Sequence, residues 1–144
     1  MKSIVIGATG SWALDVKPEH LANRFKDPAL PAVLATPILV LVMENAALDA
    51  VKSSLEPGET AVGSRIDICH LSPTPAGARI VGHARVTAVE GRRVVFQVSV
   101  VDEQGQIGAG IHERVILPMS RINAAIEAKT RARAHLRAAR GDVA

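Results

Sequence analysis

From residue 37 the chain is apolar without a break to Met43, as Pro37-Ile38-Leu39-Val40-Leu41-Val42-Met43, and then meets Glu44. Two turns with no polar face predict a helix buried on most sides, not one lying on a surface. Thr36 reads as its N-cap, with proline at the first helical position. Glu56-Pro57-Gly58-Glu59 stops the helix near Leu55. Beyond it the period changes from helical to strand-like. Residues 62–71 alternate, with Val62, Ile66, Ile68 and His70 in one phase. Residues 78–90 form a long strand, and Gly91-Arg92 turns it into the strand 94–101. Asp102-Glu103-Gln104-Gly105 makes the next hairpin, into 107–117. Pro118-Met119-Ser120 opens a terminal helix rich in Ala and Arg, and Pro18, Pro28 and Pro31 mark residues 17–35 as loop.

A buried helix followed by antiparallel strands on tight hairpins is an α+β pattern. An antiparallel sheet wrapped around that long central helix would cover it on most sides, which is the hotdog architecture. With 144 residues the chain forms one domain with a real core, here 1–119, followed by a basic C-terminal helix or tail, 120–144. Charge supports this division. Residues 1–119 carry 11 Lys/Arg and 12 Asp/Glu, whereas 120–144 carry 6 and 2, so the net charge of +3 resides in the tail. Such a tail could meet phosphates, but a solvated helix explains it equally well.

Composition removes several function classes. The only aromatics are Trp12, Phe25 and Phe96, too few for the stacking platforms of single-strand nucleic-acid binders. The single cysteine, Cys69, allows no intrachain disulfide, and neither it nor His83 and His112 has metal-ligand spacing. No metal site is therefore expected. Residues 29–43 are too short for a bilayer span and contain two prolines. With no signal-peptide pattern, the chain is expected in the cytoplasm, off the membrane. Residues 2–6 followed by Gly7-Ala8-Thr9-Gly10 look like the opening of a dinucleotide fold. However, Ala13 stands where a third glycine belongs and Lys17-Pro18 cuts off the helix, so a turn between two short segments is expected.

The candidate chemistry lies in Thr36, Glu44 and His70: a hydroxyl, a carboxylate and an imidazole, the parts of acyl transfer. Each also has a plainer role, as N-cap, as buried carboxylate or as core histidine. Amides at the Pro37 helix start could face an oxyanion. Thr36 and Glu44 lie eight residues apart, roughly 12 Å along a helix axis. They cannot touch within one helix, which favours a site shared by two protomers. Arg114 would pair with Glu44 or with a phosphate.

Ala-Thr-Pro at 35–37, Met-Glu-Asn-Ala-Ala at 43–47, Leu-Glu-Pro-Gly-Glu-Thr-Ala-Val-Gly-Ser at 55–64 and His-Leu-Ser-Pro-Thr-Pro-Ala-Gly at 70–77 follow one another. Val-Glu-Gly-Arg-Arg at 89–93 and Ile-Gly-Ala-Gly-Ile-His-Glu-Arg at 107–114 extend the series. Over residues 34–117 this resembles the fluoroacetyl-CoA thioesterase-like branch of the hotdog thioesterases. The resemblance implies hydrolysis of a short or medium acyl-CoA by a homodimer, or a tetramer built from it, without metal or redox cofactor. It implies Thr36, Glu44 and His70 as the catalytic set, and Gly63 as the place where the chain approaches the thioester oxygen. Thr36, Glu44 and water remain alternative nucleophiles. The fluorinated substrate is not carried over, because Leu30 and Leu34 lead into the helix without aromatic gating. The competing reading is a non-catalytic hotdog module that binds acyl-CoA or another small apolar ligand.

Overall fold

The computed structural model describes residues 1–141. Strand β1 (Thr9–Asp15) is followed by a 3-10 turn (Pro18–His20), a one-turn helix α1 (Ala22–Phe25) and the central helix α2 (Thr36–Val51). Then come β2 (Glu59–His70), β3 (Arg79–Glu90), β4 (Arg93–Asp102), β5 (Gly105–Pro118) and helix α3 (Met119–Arg140). The strands form one antiparallel sheet in the order β1-β3-β4-β5-β2, which leaves β1 and β2 at its edges. The expected hotdog fold is thus present, a curled sheet around α2.

Helix α2 buries Ile38, Leu39, Val42, Met43, Ala46 and Val51. Against them stand Ile80, Val86, Val94, Phe96, Val98 and Ile116 from the inner face of the sheet. Each large apolar side chain so buried contributes roughly 1.5–3 kcal/mol. The helix is covered on most sides rather than all: Leu41 remains 42% exposed.

Four local readings are corrected. The strand β1 was not anticipated; Gly10 lies in it, opposite Ala84. A Cβ at Gly10 would fall 2.3 Å from the Ala46 carbonyl oxygen and from the Ala50 nitrogen. This glycine of the Gly-Ala-Thr-Gly segment therefore lets the edge strand lie directly on α2. The central helix ends at Val51, and a 3-10 turn, Lys52–Ser54, takes the chain onward to Leu55. Its N-cap is Ala35, with no side-chain capping bond. Finally, β2 is not a single phase. Gly63 pairs with Arg114 and Arg65 with Glu113, leaving Ser64 as an extra residue in a β-bulge. Beyond the bulge Ile66 faces inward with its partner His112, while Val62 lies on the other face.

Helix α3 has no fully buried residue. No helix among the described residues is long and apolar enough to cross a membrane.

Candidate active site

Thr36 occupies the first turn of α2, and the strand-like segment before it fixes its position. The Leu34 amide donates to the Thr74 carbonyl at 2.8 Å and the Ala35 amide to the His20 carbonyl at 2.9 Å. Because the Thr36 hydroxyl does not cap the helix, it is available to another partner. That partner is His70, the last residue of β2, whose Nδ1 lies 2.8 Å from Thr36 Oγ1. The other ring nitrogen, Nε2, is buried with no close hydrogen-bond partner among the described residues. Burial holds the imidazole below the usual histidine pKa of 6.5, with the Ser72 backbone opposing in part. A neutral imidazole against a hydroxyl can receive the proton of that hydroxyl, the relation that activates a nucleophile.

A second cluster surrounds Glu44. The Arg114 guanidinium on β5 is buried and donates to the Ala61 carbonyl through Nε at 3.3 Å and Nη2 at 2.8 Å. Its Nη1 donates to the Glu44 backbone carbonyl at 3.2 Å and to His112 Nε2 at 3.2 Å. The same Nη1 lies 4.0 Å from Glu44 Oε2, the outer limit of an ion pair. With its donors turned inward, Arg114 is placed to stabilise Glu44 rather than to reach an outside phosphate. Gly63 completes this wall, since a Cβ there would stand 3.1 Å from Glu44 Oε2 and 3.3 Å from His112 Cε1.

The structure thus brings Thr36 to His70 and Glu44 to Gly63 and Arg114, but it does not join the two clusters within one protomer. Pro37 lies exposed beside Thr36 and has no N–H, and the Ile38 and Leu39 amides both return to the Ala35 carbonyl. A hollow of about 1150 Å³ contains none of these residues; Cys69, His83, Gln97, Ser99 and Ile111 line it. Sequence reasoning passed over His112 because it sought ligand spacing. The available signal was strand alternation: His112 and Arg114 are polar residues two apart, directed toward an apolar core.

Residues 16–120 match the family model described as fluoroacetyl-CoA-specific thioesterase. The chain belongs to this family. It is 39% identical over 121 residues to the fluoroacetyl-CoA thioesterase of Streptantibioticus cattleyicolor, a match covering 80% of this chain and 87% of that one. The solved structure of the fluoroacetyl-CoA thioesterase FlK superimposes with a TM-score of 0.84 at 31% identity, over 89% of this chain and 98% of FlK. A thioesterase superfamily member from Thermus thermophilus gives a TM-score of 0.86 at 34% identity, over 93% and 99% of the two chains. The family match ends one residue past Met119, so nearly all of α3 lies beyond this thioesterase region.

Proposed function

We propose that this member of the family hydrolyses a short or medium acyl-CoA thioester with Thr36 as nucleophile and His70 as its base. The chain is an acyl-CoA thioester hydrolase by family; the assignment of roles rests on the 2.8 Å contact between Thr36 Oγ1 and His70 Nδ1. The Thr36 proton moves to His70 as Oγ1 bonds to the thioester carbon, and the carbon–sulfur bond then breaks. Histidinium returns the proton to the departing thiolate, giving free CoA and an acyl-threonine. Water, deprotonated by His70, attacks that ester and releases the carboxylic acid. A thiol leaves readily because its pKa is about 8–9.

Glu44 enters from a second copy of the chain. Edge strand β2 exposes Ser64, Arg65, Ile66 and Asp67, and exposed edges are usually paired or covered. Pairing β2 with β2 of a second copy would bring the Glu44–Gly63 wall of one protomer toward Thr36 and His70 of the other, giving two equivalent sites per homodimer. The enzyme would work in the cytoplasm without metal or cofactor.

The decisive assay presents purified protein with a panel of acyl-CoAs and follows free thiol, with light scattering on the same sample. Turnover of at least one short or medium acyl-CoA by a dimer is expected. No thiol above background would replace the enzyme reading with the binding module, and a fully active monomer would overturn the shared site.

A further inference from the structure

His112 has no part in the chemistry just described, yet its side chain is only 1% exposed and lies against Glu44 and Arg114. Both ring nitrogens have fixed duties. The Arg65 carbonyl can only accept, so His112 Nδ1, 2.7 Å away, carries the proton. The Arg114 guanidinium can only donate, so His112 Nε2, 3.2 Å from Nη1, offers a lone pair. A single neutral tautomer satisfies both partners. We infer that His112 is a positioning residue: held in this tautomer, it retains the Arg114 guanidinium behind Glu44 and so sets where the Glu44 carboxylate stands. The inference rests on Glu44 serving the thioesterase reaction proposed above.

Three features of the fold support this role. The bulge between Gly63 and Arg65 breaks the regular pairing at the point where the Arg65 carbonyl meets His112. Phe96 on β4 stacks on the imidazole, with ring centroids 5.9 Å apart and planes at 25°, which fixes its orientation. Bare Gly63 leaves room for the imidazole edge and the carboxylate side by side.

The arrangement tolerates only the neutral ring. The charged groups around it are Arg114 and Glu113 from β5 and Glu44 from α2; β2 presents the Arg65 carbonyl. Glu113 is paired with Arg93. A protonated His112 would turn Nε2 into a donor facing another donor, with two cations in contact. The guanidinium would have to move, and the carboxylate would lose its backing. Burial, the largest influence on this ring, lowers its pKa from 6.5 and favours the neutral form; the Arg114 charge acts in the same direction, and the Arg65 carbonyl, Glu44 and Glu113 oppose it without reversing it.

The test combines nitrogen-15 NMR of the full chain with acyl-CoA turnover. At neutral pH, His112 should be uncharged and protonated on Nδ1; an Nε2-protonated ring or an imidazolium would overturn the proposal. His112→Phe keeps a ring on Phe96 but loses both hydrogen bonds. It should shift the Glu44 side-chain carbon-13 resonance and lower kcat roughly tenfold to a hundredfold, the scale of a misplaced catalytic group, with KM little changed. His112→Gln, which can present an oxygen to Arg114, should recover much of that loss. Glu44→Gln/His112→Phe should be no slower than Glu44→Gln alone, because His112 acts through Glu44. Wild-type kcat in folded His112→Phe, fully additive losses or an unmoved Glu44 resonance would each refute the role. If His112→Phe does not fold, His112→Gln and the wild-type tautomer decide. An enzyme that turns over no acyl-CoA would defeat the thioesterase reading, whereas tautomer and resonance still judge the geometry of His112.

Discussion

The start and the middle of one helix, α2, solve opposite problems. At the start of α2, Thr36 and His70 meet directly. Eight residues on, Glu44 stands against a guanidinium whose hydrogen bonds run to the Ala61 and Glu44 backbone carbonyls and to His112. The first cluster sets a hydroxyl directly against an imidazole. The second uses its capacity to fix the guanidinium, which stands 4.0 Å from the Glu44 carboxylate. In the proposed homodimer, the reactive pair of one protomer and the carboxylate of the other would form the two halves of one site.

The strongest way to break this comparison is to remove the reactive imidazole. His70→Ala should lower turnover more than a hundredfold, given that positioned acid–base groups contribute about 10²–10⁴-fold, while circular dichroism remains native. Thr36→Ala should lose comparable activity without the roughly 1 kcal/mol cost of a lost N-cap, since the hydroxyl makes no capping bond. Near-normal turnover in either folded variant would transfer the nucleophile or base role elsewhere.

Around Glu44 the effects should be large but smaller. Glu44→Gln should cost well over tenfold in thiol release. Gly63→Val should approach the same loss, because even the first carbon of its side chain would press on Glu44 Oε2 at 3.1 Å. Full activity in Gly63→Val would mean that this wall does not face substrate.

Acid should weaken both clusters together. His70 and His112 each have a folded-state pKa lowered from 6.5, chiefly by burial. Between those lowered values and 6.5 the unfolded chain binds protons that the folded chain does not. Stability is therefore fully present above pH 6.5 and is lost as pH falls through the folded pKa values. Melting temperature and turnover measured from pH 8 down to 5 should show an acid limb starting below 6.5, and a flat profile would contradict the burial of these rings.

The smallest effect is expected from α3. Deleting the residues after Ile122 removes most of a helix with no fully buried residue. Dimer mass and acyl-CoA turnover should persist; a monomeric or inactive product would give the basic helix a structural role.

Much of this protein could be read from its local patterns. The unbroken apolar run 37–43 implies a buried helix, and the hairpins at Gly91-Arg92 and Asp102–Gly105 imply antiparallel neighbours, because period and turn chemistry are properties of adjacent residues. The residue types at 36, 44 and 70 were likewise legible as acyl-transfer chemistry, and the motif series carried the family. What could not be read depends on contacts between distant residues. Gly63 and His70 are seven apart, so a regular strand would place them on opposite faces; the bulge at Ser64 turns both toward α2. Whether Arg114 faces a ligand or its own backbone depends on Ala61, Glu44 and His112, which only the packed sheet brings together. Likewise β1 exists because Gly10 lets an edge strand rest on Ala46 and Ala50. Periodicity is set by a residue's immediate neighbours, whereas register and the direction of a side chain's hydrogen bonds are set by whatever the fold places across from it.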